Sequence, residues 1–172
     1  MKKLLFALVS LGLFAACSGP RAVTNHDGSS LPVMLLFDAG WEQIDRENPN
    51  HVDQRQSIEN YYKENLLESF KNAGYEAVLI DNLNEASNPD IWVIEVKITN
   101  YNPGSKAARM LVGFGAGAAV LDTYVRVGKS GDWKWMKDYS YGTSGNWQKT
   151  IVKSNKVLLK DLETSLAALV RQ

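Results

Sequence analysis

The sequence predicts an α+β domain: an about five-stranded, mainly antiparallel sheet with two amphipathic helices packed on one of its faces. Two observations lead to this prediction. Five short apolar or alternating runs are separated by residues typical of turns, and two longer stretches repeat an apolar residue every third or fourth position. At 172 residues, with 45% apolar and 22% charged side chains, the chain has the size and composition of one ordinary globular domain.

The first strand and the first helix are predicted from the region after residue 31. Pro32 to Phe37 is a short apolar run, which indicates a buried strand, and the polar residues 40–54 indicate a loop. Asp53 is a candidate cap for a helix from Gln54 to Ala73, and Gly74 stands where a glycine commonly ends one. Apolar residues recur every fourth position in this helix, at Ile58, Tyr62, Leu66 and Phe70.

The remaining elements follow in the second half of the chain. Strands are predicted at Tyr75–Ile80, Ile91–Ile98, Val120–Val127 and Trp133–Tyr141. The last two strands flank residues 128–132, whose composition predicts a hairpin. A second amphipathic helix is predicted from Ile151 to Val170.

The N-terminal residues have the pattern of an export signal. Two lysines precede the apolar stretch Leu4–Ala16, which is too short to span a bilayer as a helix. Leu13–Cys17 resembles the lipobox of bacterial lipoproteins, which implies cleavage before Cys17 and acyl chains on its sulfur. By resemblance to lipoprotein sorting in Gram-negative bacteria, Ser18 in place of an aspartate implies the outer membrane. The alternative is an ordinary secretory signal that is cut after Ser18.

These patterns divide the chain into three parts. We expect residues 1–16 to be a lipoprotein signal peptide. Residues 17–31 are rich in Gly, Ser and Asn and lack periodicity, so we expect a flexible tether. Residues 32–172 form the single α+β domain, with its N-terminus held to the membrane through the lipid on Cys17.

Charge and composition exclude several classes of protein. The 19 Lys and Arg residues balance 19 Asp and Glu residues, so no nucleic-acid partner is expected. The single cysteine excludes an intrachain disulfide framework and a Cys-rich zinc site. His26 and His51 have no second ligand at motif spacing, so we expect no metal and no cofactor.

The stretch from Ser105 to Leu121 is the least ordinary part of the sequence. Its G-x-G-x-G pattern lacks the spacing and the βαβ context of a dinucleotide site. The glycines indicate either a backbone that packs closely against the sheet or a G-x-x-x-G contact in an interface or oligomer. The flanking cations can meet lipid headgroups or a partner's carboxylates. The candidate interface residues are Lys106, Arg109, Gly113, Phe114, Gly115 and Gly117.

The same stretch carries a family resemblance. Pro103–Ala119, which reads PGSKAARMLVGFGAGAA, resembles the signature of DUF4410, a bacterial lipoprotein family whose domain has no known function. The resemblance implies a small envelope domain of unassigned biochemistry. It supplies no catalytic residues that could be carried over to this chain.

The predicted hairpin allows two registers. A five-residue loop sets Asp122 opposite Asp138, a carboxylate pair that acid–base catalysis can use. A shorter loop separates these aspartates and brings Arg126 opposite Asp132. With strict alternation, four aromatic residues share one face that we expect to be the core face: Trp133, Trp135, Tyr139 and Tyr141.

The function that these patterns favour is that of a non-enzymatic lipoprotein, anchored in the outer membrane and facing the periplasm. We expect it to be a binding or assembly module for another envelope component, either a protein or its own copies, through Lys106–Ala119. The alternative is a glycan-binding or hydrolytic envelope protein that uses the aromatic hairpin, residues 133–147.

Overall fold

The computed structural model describes residues 19–102, 118–143 and 146–171. The chain forms an α+β domain with five strands and two long helices, which confirms the predicted class. The elements are β1 (Pro32–Asp38), α1 (Pro49–Ala73), β2 (Glu76–Ile80), β3 (Trp92–Asn102), β4 (Ala119–Lys129), β5 (Asp132–Thr143) and α2 (Trp147–Val170).

The five strands form one mixed sheet in the order β2-β1-β3-β4-β5. β1 runs parallel to both of its neighbours, and α1 is the crossover that connects β1 to β2. β4 runs antiparallel to β3 and to β5, and these two longer pairings contain most of the paired residues. Strands at the two edges, β2 and β5, come from opposite halves of the chain.

Both helices begin earlier than the apolar periodicity predicts, because asparagine side chains cap them. The Asn48 side chain accepts a hydrogen bond from the Asn50 amide at 3.0 Å, and Pro49 takes the first helical position. Part of the predicted loop 40–54 is therefore helical, and Asp53 does not cap α1. Asn146 caps α2 in the same way, ahead of the predicted start at residue 151.

The core lies between one face of the sheet and the two helices. Tyr62 of α1 stacks on Phe37 of β1 with ring centroids 4.6 Å apart, and its hydroxyl lies 3.2 Å from the Ser154 Oγ of α2. The fully buried side chains of this layer come from β1, β3, β4 and both helices: Val33, Leu35, Ile58, Leu66, Phe70, Ile94, Ile98, Leu121, Ile151, Leu162 and Leu166. The predicted packing of both helices on the sheet is thus observed, on one sheet face.

The β4–β5 turn is shorter than the predicted five-residue loop. Lys129 pairs with Asp132, so only Ser130 and Gly131 connect the strands, with φ values of 49° and 81°. Two consecutive residues with positive φ are what a tight type I′ hairpin turn requires. The long-loop register is therefore wrong, and Arg126 lies opposite Met136 rather than Asp132.

A β-bulge follows directly after this turn. Gly128 pairs with Trp133 and Val127 pairs with Trp135, so Lys134 is an extra residue on β5. The bulge reverses the direction of Trp133 relative to the rest of the strand. A second irregularity lies on β3, between Ile98 and Asn100.

Candidate binding surfaces

The predicted site residues lie outside the residues that the structure describes. This holds for the proposed lipid attachment site and for the whole candidate interface: Cys17, Lys106, Arg109, Gly113, Phe114, Gly115 and Gly117. The structure nevertheless describes the residues on either side of the segment that contains the candidate interface. Asn102 of β3 pairs with Val120 of β4, so the segment starts and ends at the same end of the sheet.

The aromatic residues of β5 do not share one face. Trp135, Tyr139 and Tyr141 point toward the helices, and the two tyrosines are only 8% and 6% exposed, as expected for core residues. Trp133 lies on the opposite face, where the Arg126 guanidinium stacks 4.1 Å from its ring centroid. The prediction of one aromatic face is therefore wrong at Trp133, because the bulge at Lys134 shifts the alternation.

A hydrogen-bonded cluster joins β5 to α2. Lys137 Nζ and the Tyr139 hydroxyl both donate to Asp161 Oδ2, at 2.5 and 2.9 Å. Burial alone would raise the pKa of the Asp161 carboxyl, but the two hydrogen bonds outweigh it and hold this pKa below its usual value. The pKa of the Tyr139 hydroxyl is raised, first by burial and then by the adjacent carboxylate. Asp161 is therefore ionised at neutral pH, and the hydrogen bonds that it accepts join β5 to α2.

Asp161→Asn is expected to lower the free energy of unfolding by about 1–2 kcal/mol at neutral pH, because a neutral amide replaces a charged acceptor. The folded-state pKa of Asp161 lies below its usual value of 3.8, so its contribution to stability is complete above that value. The contribution is lost as the pH falls further. Urea denaturation between about pH 7 and pH 2.5 should show wild type and variant converging in acid. A constant difference over this range would contradict the role of the carboxylate.

The two aspartates of the hairpin do not form a carboxylate pair. Asp122 lies opposite Ser140, and Asp138 lies opposite Tyr124. Asp122 Oδ2 instead accepts a hydrogen bond from Asn100 Nδ2 at 2.8 Å. Among the described residues, no group of three His, Cys, Asp or Glu side chains is placed to hold a metal ion.

The sheet face opposite the helices, which we call the open face, has an ion pair at its centre. Arg126 of β4 donates through Nε and Nη2 to Glu95 Oε2 of β3, at 2.8 and 2.7 Å. Glu95 is only 7% exposed, and Arg126 is held on its other side by Trp133. The sequence alternation alone gave no sign of this arrangement, because Glu95 reads as an outward-facing strand residue.

Glu95→Gln is expected to lower the free energy of unfolding by about 2 kcal/mol, because the buried carboxylate loses two charge-assisted hydrogen bonds. Part of Arg126 is exposed, so water compensates some of the loss. The control is Glu76→Gln at an exposed position of β2, with an expected change within about 0.5 kcal/mol. Equal urea midpoints for the two variants would show that the ion pair contributes nothing.

Exposed apolar side chains surround this ion pair. Val78 of β2 is 59% exposed and Met136 of β5 is 56% exposed, and both lie on the open face. Met34 and Leu36 of β1 lie between them on the same face and are half-buried. An open sheet face with apolar and ionic groups is a surface that a protein partner can cover.

A small polar cavity lies where β3 and α1 approach each other. Arg55 is 4% exposed, donates through Nη1 to the Ala39 carbonyl at 2.6 Å, and lies 5.9 Å from the Tyr101 ring centroid. The cavity beside them has a volume of about 320 Å³, with Asp45 and His51 in its lining. Burial lowers the pKa of Arg55 and raises that of Tyr101 to about 12, so both groups remain protonated. The arrangement can hold water or a small polar molecule.

None of the helices in the described ranges has an apolar stretch long enough to cross a membrane. The fold and its surfaces define a small α+β domain with one sheet face covered by helices and one face on which no helix of the described residues packs. The chain belongs to the DUF4410 family (domain of unknown function), whose model matches residues 19–159 and confirms the resemblance seen in the glycine segment.

Several solved structures are similar to this chain at low identity. The PelC dodecamer from Paraburkholderia phytofirmans is 7% identical over 83% of this chain and 92% of that one, with a TM-score of 0.47. A neuraminyllactose-binding hemagglutinin homolog from Helicobacter pylori is 9% identical over 87% and 89%, with a TM-score of 0.43. A minor lipoprotein from Acinetobacter baumannii is 10% identical over 81% and 89%, with a TM-score of 0.34. No curated protein matches the sequence.

Proposed function

We propose that this protein is a non-enzymatic lipoprotein, anchored to the outer membrane through Cys17, that binds another envelope component or its own copies on the periplasmic side. The observation that carries the proposal is the lipobox-like run that ends at the chain's single cysteine. Membership of the DUF4410 family, shown over residues 19–159, supports it, because the glycine segment resembles the signature of that family of bacterial lipoproteins. The domain itself needs no disulfide, because its core is built from apolar side chains.

The anchor is tested by feeding cells a clickable palmitate analogue and comparing wild type with Cys17→Ser. Wild type should incorporate the label and fractionate with the outer membrane, whereas the variant should carry none. A released, unlabelled wild-type domain would overturn the anchor and favour an ordinary secretory signal. An inner-membrane location with label present would overturn only the sorting.

The proposed contact for the partner is residues 106–119. The described residues on either side of this stretch lie at the β3–β4 end of the sheet, where Asn102 pairs with Val120. A contact at this end would use the apolar run that follows Lys106 and Arg109 in the sequence.

The contact is tested by crosslinking and pull-down from intact cells with Gly113→Val and Gly115→Val. The matched control is Gly142→Val, because Ala119 O, at 3.9 Å, is the nearest atom of the described residues to a Cβ built on Gly142. We expect the first two variants to lose the crosslinked species while the control keeps it. Unchanged crosslinks in all three variants would overturn the interface.

The glycan-binding or hydrolytic alternative required an exposed row of aromatic side chains on the hairpin, and the positions of these residues argue against it. Tyr139 and Tyr141 are buried, and Trp133 and Trp135 lie on opposite faces, so no row of flat rings is presented. The separated aspartates likewise offer no catalytic pair.

A further inference from the structure

We infer that the outward face of α2, with the groove between α1 and α2, lies against the anionic phospholipid headgroups of the membrane that holds the lipid anchor. This inference rests on the proposed acylation of Cys17 and adds an orientation to it. It assigns a membrane-contact role to the helix layer and leaves the open sheet face for the partner.

The first observation is a basic stripe along α2. Four lysines recur at intervals of four, three and four residues, which places them on one face of the helix: Lys149, Lys153, Lys156 and Lys160. All four are exposed on the side of α2 that faces away from the sheet. None of the ion pairs among the described residues involves any of them. Lysines near an anionic lipid surface each contribute about 1 kcal/mol to binding.

The second observation is the partly apolar groove beside this stripe. Two adjoining cavities of about 300 and 340 Å³ share Val152 and Lys156 in their linings. Val152 is 46% exposed, and Tyr61 of α1 meets the edge of Trp147 with ring centroids 5.3 Å apart. Tyrosine and tryptophan rings beside lysines are the composition that proteins present at the boundary between headgroups and water.

The third observation is the place where the N-terminal segment meets the domain. Gly19 and Pro20 line the same cavity as Val152 and Lys156. Farther along, the Ala22 amide donates to the Ala73 carbonyl at 2.7 Å, and the Val23 amide donates to the Tyr75 hydroxyl at 3.2 Å. The described part of the expected tether, residues 19–31, is therefore hydrogen-bonded to the C-terminal end of α1 and to Tyr75 just before β2.

Chain length then limits the position of the anchor. Two residues span at most about 7 Å when fully extended. An acylated Cys17 therefore lies within that distance of Gly19, and the helix layer is the part of the domain nearest to the bilayer. The lysine stripe and the lipid attachment point fall on the same side of the molecule, and each would favour the same orientation.

Acidic groups limit the extent of this membrane-contact surface. Glu163 continues the lysine face toward the C-terminal end of α2, and Glu64 and Glu68 are exposed on α1. The membrane-contact surface is thus centred on Lys153 and Lys156 rather than spread over both helices. The open face, with Val78 and Met136, points in the opposite direction.

The orientation is tested with acylated full-length protein in vesicles. The protein carries an environment-sensitive fluorophore that reports which of its surfaces faces the lipid. Acylated Cys17 has no free thiol, so the fluorophore is attached at Val152→Cys or, as the matched exposed apolar control, at Met136→Cys. The vesicles contain phosphatidylcholine alone or with about 30% phosphatidylglycerol, an anionic fraction large enough to give the lysines a surface potential. Flotation reports the anchor, and quenching of the fluorophore by aqueous iodide reports the orientation.

We expect the fluorophore at position 152 to be blue-shifted and protected in the anionic vesicles, and the one at 136 to stay accessible. In about 1 M salt, where the screening length is about 3 Å, the protection should be lost. Lys153→Gln with Lys156→Gln should lower the ratio of protected to accessible fluorophore about 30-fold, from about 1 kcal/mol per lysine. The control pair Lys129→Gln with Lys134→Gln, at the hairpin tip, should leave it unchanged.

Two outcomes would contradict these proposals, and they differ. Vesicles that float without the protein would overturn the proposed anchor and the orientation with it. Protein that floats while positions 152 and 136 are quenched equally would overturn the orientation alone.

Discussion

Replacing Gly128 by alanine is expected to lower the free energy of unfolding by about 3 kcal/mol. A Cβ on Gly128 would lie 2.2 Å from the Asp132 carbonyl oxygen and 2.8 Å from the Trp133 Cα. Both are backbone atoms of the neighbouring strand, so they cannot move aside as the end of a flexible side chain would. The strand pair must separate locally, which disturbs the bulge and the tight turn beside it.

Urea denaturation followed by circular dichroism measures this effect. The matched control is Gly142→Ala in the same hairpin, where the nearest atom to the added Cβ, within the part of the chain that the structure describes, is Ala119 O at 3.9 Å. Its expected change is neutral to about 1 kcal/mol stabilising, since alanine costs less backbone entropy than glycine. If both variants unfolded at the same urea concentration, the close approach at Gly128 would have no energetic weight.

Tyr62→Ala is expected to lower the free energy of unfolding by about 3–5 kcal/mol, the usual range for removing a buried aromatic ring. Tyr62 is 1% exposed and connects three elements, through its stack on Phe37 and its hydroxyl contact with Ser154. Burial raises the pKa of its hydroxyl to about 12, so the group stays neutral at physiological pH. The effect is therefore one of packing and not of charge.

Tyr62→Phe separates the contribution of the ring to stability from that of the hydroxyl, because it removes the hydroxyl alone. The ring stays stacked on Phe37, and Ser154 keeps its hydrogen bond to the Ile151 carbonyl at 2.8 Å. The expected loss is only about 1 kcal/mol, the net value of one hydrogen bond. Thermal or urea unfolding of both variants decides the point, and equal losses would mean that the hydroxyl, not the ring, holds the layers together.

Periodicity predicted the elements of this fold well and their boundaries less well. Alternation in β3 and the four-residue repeat in α1 arise from burial on one face, which a sequence records directly. The helix starts depend on whether Asn48 and Asn146 cap or merely lie in a loop, and both behaviours are common for asparagine. The sheet order also depends on long-range contacts that no local pattern contains.

The hairpin shows the limit of pattern analysis at the candidate site. A single extra residue, Lys134, moves Trp133 to the open face, and no local signal distinguishes a bulge from a regular strand. The Glu95–Arg126 pair and the buried Arg55 were missed for a related reason. Each residue reads as an outward-facing polar position, and its burial results from neighbours that are distant in the sequence. The asparagines and the glycines of the turn were the signals that could have improved the prediction.

The position of β1 at the centre of the parallel part of the sheet affects how the chain can mature. Val33 pairs with Ala77 on one side and with Trp92 on the other, so the apolar first strand has no β partner until the chain has been synthesised well beyond it. During N-terminus-first synthesis, that strand stays unpaired until the later strands have emerged, and exposed apolar strands are prone to aggregate. We therefore expect the yield of folded protein to depend on a chaperone that shields β1 until β3 has emerged.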